Sequence, residues 1–524
     1  MKTLKRLSVL FTIGILVLSC SDDDDTAPII LDAGTLSGGP FTFTVDGTSD
    51  MVSGITLNFN GTGDAQSYVI TDPSNMILGT PPDLNGLEGV DFDGAGTGEC
   101  FIWHITYDSD LTGLEMGGNI STLVGAYDLS NSIQVTRNAN PSATFTVTIE
   151  NVFEGKDYFN NGATGLIMPG MSEEFTFNAG KGHYLSLATM LAQTNDLFYA
   201  PEENGIALYD DMGNALTGDI THLFDLWDAG TEVNEEPGVG ANQAPRQSAP
   251  NTGSDENGTV KLIADVSDGY TYPMVSDNIQ VSLMHDGGTQ FTVTVNNVSD
   301  TSTLGSPLAP GNWVVHNSGQ TPLFMEDQMA SEGLERMAED GDASVLDMAL
   351  TANSGLVSPF APGAFAINDP IFMSGSTASA AFEALAEDGS PAGYTNVFNT
   401  PDMGSAPAPI FPGESYSFEF TAEAGDALSF GTMLVQSNDW VIGAGEIPLF
   451  TNGSALTGDI TAMVNIYDSG TEMDEYPGAG PNQPVRQSGA NTGLDENGMV
   501  ALENDLPANV PAIESMIKIT ISSN

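Results

Sequence analysis

The chain has 524 residues, with 70 Asp and Glu against 11 Lys and Arg, and its net charge is −59. A polyanion of this size repels phosphate backbones, which excludes nucleic acid as a partner. The 59 Gly and 29 Pro predict frequent turns, and the hydrophobic fraction of 40% is too high for a disordered acidic chain.

The N-terminal segment predicts export and a lipid anchor. Three cations precede the apolar run 7–18, which is too short to remain as a bilayer-spanning helix. Residues 17–20, Val-Leu-Ser-Cys, resemble a bacterial lipobox, in which the cysteine is acylated; a plain secretory signal is the alternative. We therefore expect a lipoprotein signal peptide over 1–19 and lipidation of Cys20. The other cysteine, Cys100, is expected to be a buried small apolar residue.

The stretch 20–40 is rich in Asp, Gly, Ser and Thr and is predicted to be an acidic tether. Its four consecutive Asp residues, 22–25, resemble the export tag of surface-exposed lipoproteins in some Gram-negative bacteria. These features together predict a protein of the outer membrane, exposed at the cell surface.

Residues 41–138 show the pattern of a separate β-sandwich domain. Apolar residues alternate with polar ones over four segments that are separated by Gly, Asp and Asn turns, which is typical of half-buried antiparallel strands. The four segments are 41–45, 55–59, 101–105 and 133–136.

The rest of the chain contains an internal repeat. Leu-Thr-Gly-Asp-Ile-Thr at 216–221 returns at 456–461, and the match continues to Asn257 and Asn497. Each copy is preceded by an alternating strand, 145–149 in the first and 291–295 in the second. The repeat predicts two domains, 141–286 and 288–524.

The second of these domains contains a smaller duplication, in which Ala-Pro-Gly at 309–311 and 361–363 is followed by Ala-Glu-Asp-Gly at 338–341 and 386–389. We interpret 309–391 as an insert that the first domain lacks, so that the first domain is shortened. Within the insert, two sets of residues share a helical face and predict two short helices. These are Met329, Gly333, Leu334 and Met337, and Ala378, Ala381, Phe382 and Leu385.

The repeated loops carry candidate metal ligands. Asp228 and Glu232 match Asp468 and Glu472, and two carboxylates four residues apart across a Gly turn are able to converge on a hard cation such as Ca²⁺. Asp196 and Asp439 would each supply a third carboxylate. The spacing leaves open the alternative of acidic loop residues exposed to solvent. Arg246 and Arg486 occupy matching positions, and we expect them to bridge carboxylates or loop carbonyls.

Several motifs resemble the spondin N-terminal domain family over roughly 141–524. The motifs are Asn-Asp-Trp at 438–440, Asp-Ser-Gly-Thr-Glu at 468–472, Pro-Asn-Gln-Pro at 481–484, their counterparts at 195–198, 228–232 and 242–245, and Ala-Pro-Gly at 309–311. The resemblance implies C2-like β-sandwiches with a calcium ion in the loops. It implies that the ligands are Asp196, Asp228 and Glu232 in the first domain and Asp439, Asp468 and Glu472 in the second.

This sequence departs from the pattern at Leu197, where the second domain has Trp440, which leaves open whether the first, shortened domain keeps its metal. The fold expected is mainly β, with tandem antiparallel sandwiches and a few short helices in the second.

The function expected is that of a non-enzymatic, calcium-binding surface lipoprotein for adhesion or extracellular-matrix interaction. Its partners would be an extracellular protein or glycan and, through Cys20, a membrane. The alternative is a calcium-dependent module that binds carbohydrate or another polymer. A secreted hydrolase finds no support, because no pair of acids among the 70 is singled out.

Overall fold

The computed structural model describes residues 31–61 and 63–524, so the predicted signal peptide and Cys20 lie outside the described residues. The chain divides into two compact units, Met1–Asn140 and Pro141–Asn524. It consists mainly of antiparallel β-strands with a few short helices, which confirms the predicted fold class. Within the described residues, every helix is too short or too polar to cross a lipid bilayer.

In its described residues the first unit contains eight strands and one α-helix. They are β1 (Thr35–Ser37), β2 (Phe41–Val45), β3 (Thr56–Asn58), β4 (Ala65–Thr71), β5 (Ile77–Gly79), α1 (Leu84–Glu88), β6 (Gly98–Tyr107), β7 (Tyr127–Leu129) and β8 (Ile133–Ala139).

The four strands predicted in this unit are present as β2, β3, β6 and β8. Six of the eight strands of this unit form a sheet of order β2-β8-β6-β4-β5 with β7 beside β6, and β1 and β3 form a separate pair. The pair β2–β8 is parallel, in contrast to the antiparallel arrangement predicted. The predicted tether is also too long, since β1 lies within it and Leu36 is buried. Cys100 is free and buried, as expected.

The second unit contains the remaining strands and four helices. They are β9 (Ser142–Asn151), β10 (Tyr158–Ala163), β11 (Ser172–Asn178), β12 (His183–Met190), β13 (Leu197–Ala200), β14 (Ile206–Ala207), β15 (Gly218–Asp219), β16 (Asp225–Asp228), β17 (Lys261–Leu262), α2 (Val275–Asn278), β18 (Ile279–Gly287), β19 (Gln290–Asn297), β20 (Asn312–Asn317), α3 (Glu332–Asp340), α4 (Ser344–Asn353), β21 (Gly363–Ile367), α5 (Ala380–Asp388), β22 (Val397–Phe398), β23 (Ser415–Glu423), β24 (Ala427–Met433), β25 (Trp440–Pro448), β26 (Phe450–Thr451), β27 (Ser454–Ala455), β28 (Gly458–Asp459), β29 (Asn465–Asp468), β30 (Ala501–Leu502) and β31 (Ile517–Ser523).

Eleven of these strands form the first sandwich. One sheet has the order β10-β20-β12-β13-β16-β17, with β14 beside β12, and the other has the order β11-β19-β18-β15. Because side chains alternate along each strand, one face of each sheet fills the space between them. Leu185, Val281 and Val293 are fully buried in that core.

The second sandwich repeats this arrangement with sheets of order β22-β21-β24-β25-β29-β30 and β23-β9-β31-β28. Strand β9 is central in the smaller sheet, paired with β23 on one side and with β31 on the other. Its side chains Phe145, Val147 and Ile149 have no exposed surface.

The division at 286–288 that the repeat predicts does not follow the sheets. Strand β9 belongs to the second sandwich, although the whole first sandwich follows it in the chain, whereas β19 and β20 belong to the first sandwich. The two sandwiches therefore exchange strands relative to the predicted domains. Alternation along 145–149 and 291–295 correctly predicts two strands, but it carries no information on their partners.

The larger sheet of each sandwich is covered on its outer face, by two helices in the first sandwich and by one in the second. Leu334 and Met337 of α3 and Leu346 of α4 pack on the first sandwich, and Phe382 and Leu385 of α5 pack on the second. The prediction of an insert confined to the second domain is therefore wrong, because each sandwich has its own copy of the segment. The first sandwich is not shortened by its absence.

The two predicted helices are confirmed as α3 and α5, whereas α4 was not predicted. Met329 and Ala378, assigned to the helical faces from the sequence, precede the first residue of α3 and of α5 respectively. Both helices begin after a capping serine, Ser331 or Ser379, whose hydroxyl accepts a backbone N–H in the first turn.

Candidate metal centre

The pairing of two strands brings the first two predicted ligands together in each sandwich. Asp439 immediately precedes β25, and Asp468 ends β29, the strand that pairs with β25. Because antiparallel neighbours place the start of one strand beside the end of the next, both carboxylates lie at the same sheet edge. Asp196 and Asp228 occupy the same positions at the edge of β13 and β16.

In the second sandwich the acidic cluster has three members. One carboxylate oxygen from each of Asp439, Asp468 and Asp474 lies within 4.8 Å of the other two. Asp439 is fully buried, Asp468 is half-buried and Asp474 is exposed. The cluster thus reaches from the core to the solvent, which leaves one side open to water or to a ligand.

One oxygen of the deepest carboxylate is held by the loop that follows β29. Oδ2 of Asp439 accepts hydrogen bonds from the hydroxyl of Ser469 (2.8 Å) and from the backbone N–H groups of Thr471 and Glu472 (both 3.1 Å). These contacts fix the carboxylate and leave Oδ1 on its other side. Oδ1 accepts one bond, from the amide of Asn438 at 3.2 Å.

The first sandwich holds Asp196 in the same way, and one of its oxygens has no partner. Oδ2 accepts from the backbone N–H groups of Thr231 (2.8 Å) and Glu232 (3.0 Å). Oδ1 is buried without a hydrogen bond in the described part of the chain, and the residue has no exposed surface. A buried carboxylate oxygen without a donor is stabilised by a proton or a cation, so the site fits a metal ion.

The electrostatics of both clusters favour a bound cation. Burial raises the pKa of Asp439 to about 6 against the opposing effect of the Glu472 N–H. Burial, followed by the charge of Asp439, raises the pKa of Asp468 to about 7. Burial and the charge of Asp228 likewise raise the pKa of Asp196 well above its ordinary value. A divalent ion would stabilise the ionised form of these groups against both their burial and their mutual repulsion.

Each of the predicted third ligands, Glu232 and Glu472, uses one carboxylate oxygen to accept a backbone N–H. Oε1 of Glu472 accepts the N–H of Gly493 at 2.7 Å, and Glu232 does the same with Gly253. Oε2 of Glu472 is buried without a partner among the described residues. The third carboxylate that the second cluster gathers is Asp474, so the role of the two glutamates as ligands stays a prediction.

Asp474 was missed because its counterpart in the repeat, Asn234, carries no charge. The two repeats also differ at Trp440, and this difference is linked to that at Asp474, since Nε1 of Trp440 donates to Asp474 at 3.0 Å. The first sandwich has Leu197 in place of Trp440. The Trp–Leu difference was visible in the sequence, and it marks the position of an acid that only the second sandwich has.

The first cluster is partly neutralised by the protein itself. The amide of Asn234 donates to Oδ2 of Asp228 at 2.6 Å. Lys261 lies opposite Asp228 across β16 and β17, where the second sandwich has Ala501 opposite Asp468. The first site therefore has one carboxylate fewer and one cation more than the second, and we expect the weaker metal affinity there.

The Ala-Glu-Asp-Gly motifs also contribute to these sites, which the sequence did not reveal. Glu339 and Glu387 are 4% and 3% exposed, and burial raises the pKa of each to about 7. Their hydrogen-bond partners are the side chains of Thr231 and Thr471. The motif thus places a glutamate beside each cluster at the end of α3 and α5.

The aspartate and the glycine of the motif are structural. Oδ1 of Asp340 accepts from the amide of Gln247 at 2.9 Å, and Asp388 accepts from Gln487 at 3.2 Å. These bonds attach the long loop after each cluster to a helix end. Gly341 ends α3 with a φ of 68°, a left-handed conformation that favours glycine.

The two matching arginines hold the loops, as predicted. Nε of Arg246 donates to the carbonyl of Gly240 at 2.7 Å, and Nε of Arg486 donates to the carbonyl of Lys181 at 3.3 Å. Both guanidinium groups also bond a buried glutamine, Gln243 or Gln483. The Asn-Gln motif that carries part of the family resemblance is therefore part of the loop scaffold.

No model of a known protein family matches this chain, and no curated protein is found to be similar to it. The resemblance to the spondin N-terminal domain, and the ligands it implies, stay predictions.

Proposed function

We propose that this chain is a non-enzymatic, calcium-binding surface protein, anchored through Cys20, that binds an extracellular protein through the loop end of its second sandwich. The observation that supports the proposal is the convergence of Asp439, Asp468 and Asp474 within 4.8 Å. The donors are all carboxylate oxygens, which suit a hard cation such as Ca²⁺ better than a transition metal that prefers His or Cys.

The surface beside the cluster supports a role in binding protein. Met473 and Leu494 are 56% and 72% exposed, and a backbone hydrogen bond of 2.8 Å joins them next to the isolated bridge between Glu472 and Asp495. Exposed apolar side chains that are adjacent to one another are typical of interaction surfaces, and Met adapts to different partners. The corresponding pair in the first sandwich is Val233 and Ser254, which is less apolar.

Calcium affinity tests the metal site. The substitution Asp474→Asn gives the second cluster the asparagine that the first cluster has at this position. We expect calorimetric titration of the full chain to show that the second cluster binds calcium about tenfold more weakly, or weaker still, because a charged ligand is lost. Asp300→Asn, an exposed acid of the first sandwich, serves as the control and should leave the affinity unchanged. Absence of a calcium-binding heat in the wild-type chain would refute the site.

Adhesion is tested with the apolar pair. Beads coated with the chain should bind an immobilised extracellular-matrix extract in calcium and lose that binding in chelator. Leu494→Ser, which introduces the residue of the first sandwich, should reduce the retention of the beads several-fold, because an exposed apolar contact is lost. Val124→Ser in the N-terminal unit removes a similarly exposed apolar residue and should have no effect. Retention that is equal with and without calcium would contradict the proposal.

A further inference from the structure

The loop that follows the second cluster docks on the first sandwich, whereas its counterpart in the repeat is exposed. Ala479 is 1% exposed and packs in the core of the first sandwich, while the matching residue Val239 is 65% exposed. Gly478 permits the close approach, because a Cβ at this position would overlap the ring of Phe159. The loop 475–487 thus forms a seam between the two sandwiches.

Arg486 crosses this seam without a carboxylate partner. Its Nε donates to the carbonyl of Lys181, its Nη1 to the side chains of Gln436 and Gln483, and its Nη2 lies 3.3 Å from Nε2 of His183. Among the residues described, neither of the ion pairs within 4.0 Å involves this guanidinium. A half-buried cation without a counter-ion is unfavourable, and it is unexpected in a chain with 70 acids.

The histidine beside it presents a second donor. His183 is 3% exposed, and its Nδ1 accepts the N–H of Gly180 at 3.1 Å. Burial, together with the charge of Arg486, lowers the pKa of His183 to about 3, so the ring is neutral and carries its proton on Nε2. The Nε2–H therefore faces the Nη2–H of Arg486 at 3.3 Å between the nitrogens, and an acceptor shared by both donors would lie beside this pair.

A cavity of about 90 Å³, here called the seam pocket, lies beside these donors and is also lined by Lys156. The ammonium of Lys156 pairs with Glu154 at 2.7 Å and donates to the carbonyl of Ala352 at 2.9 Å, and the third of its N–H donors is left for the pocket. Since a water molecule takes about 30 Å³ in the liquid, the pocket holds roughly three groups of that size. Two acids are close. Asp157 lines the pocket, and the charge of Glu475 opposes the burial that lowers the pKa of Arg486 to about 10. Neither forms an ion pair with the guanidinium in the described chain.

We propose that the seam pocket binds a small oxyanion, either a carboxylate or an inorganic ion such as sulfate, between Arg486, His183 and Lys156. The oxygens accept from the facing N–H groups of the arginine and the histidine, and the charge of the ion neutralises the guanidinium. Because these donors belong to different sandwiches, the bound ion joins the sandwiches at the seam. This site is independent of the metal clusters.

The test uses formate and sulfate as probes, each exchanged at constant ionic strength for a bulky sulfonate that does not fit the pocket. We expect the melting temperature of the full chain to rise and saturate with either probe, because a ligand that binds the folded state stabilises it. The rise should be lost in Arg486→Gln and retained in Arg246→Gln, which removes the matching loop contacts without touching the seam. The tighter-binding probe identifies the ion as a carboxylate or an inorganic oxyanion.

A second readout covers the case in which Arg486→Gln fails to fold. Calorimetric titration of the same anions should show saturable binding to the wild-type chain and several-fold weaker binding to Lys156→Gln. An anion-dependent rise of equal size in Arg486→Gln, or no saturable heat in the wild-type chain, would overturn the proposal.

Discussion

A fragment of residues 288–524, the second domain as the sequence repeat divides it, is expected not to fold as a cooperative unit, whereas 141–524 is expected to fold. The fragment lacks β9, the strand that lies between β23 and β31, and retains β19 and β20 without the sheets they belong to. Phe145, Val147 and Ile149 are fully buried in the second sandwich, and their loss removes about 5–9 kcal/mol of hydrophobic stabilisation. This is comparable to the whole stability of a domain.

Circular dichroism and thermal unfolding of the two fragments measure this difference. We expect a sigmoidal transition for 141–524 and a broad or absent one for 288–524. A synthetic peptide of residues 141–153 should restore the transition by adding the missing strand, and the same peptide with Phe145→Ala should do so less well. A cooperative transition of 288–524 at the temperature of the longer fragment would show that β9 is dispensable.

The stabilisation that calcium gives is expected to increase with pH. In the unfolded chain the two aspartates have ordinary values near 3.8, but the folded-state pKa is about 6 for Asp439 and about 7 for Asp468. Between these values the folded state binds more protons than the unfolded state. The contribution of these two carboxyl groups to the stability of the metal-free protein is therefore full below pH 3.8 and is lost as the pH rises through 6 and 7. The loss is on the order of 3 kcal/mol for Asp439.

A smaller effect is expected from Asp468, because it is half-exposed and screened by solvent. A bound ion stabilises the deprotonated carboxylates, so the loaded protein should not lose stability over this range. The difference in melting temperature between calcium and chelator should therefore be small at about pH 5 and large at about pH 8. The double variant Asp439→Asn, Asp468→Asn should reduce both the pH dependence and the calcium effect to what the weaker first cluster contributes. An equal calcium effect at both pH values in the wild-type chain would contradict this assignment.

The sequence predicts the strands of this protein better than it predicts their partners. Period-two alternation shows which side of a strand is buried, and it correctly predicts β9 and β19. Both strands carry nearly the same apolar pattern, so nothing in either segment distinguishes the sandwich to which it belongs. Pairing depends on contacts between residues far apart in the chain, and a comparison of repeats assigns each strand to its neighbour in sequence.

The candidate site shows the same limit. Repetition predicts that Asp228 and Asp468 matter, because both copies keep them, and the structure brings each beside its predicted partner. The positions of Asp474 and Glu387 in the site could not be predicted from the repeat, for two different reasons. The first is replaced by Asn234 in the other copy, and the second reaches the site from α5, which is remote in sequence.

The central position of β9 has a consequence for the order in which the protein forms. Thr144 and Thr421, whose hydroxyls lie 3.3 Å apart in the paired strands, are separated by 277 positions. During synthesis, the entire first sandwich is made after this apolar strand and before either of its neighbouring strands, β23 and β31. Contacts of such long range form slowly, and an unpaired strand exposed meanwhile is prone to associate with other chains. The nascent polypeptide is therefore expected to require a holding chaperone until its final strand is released.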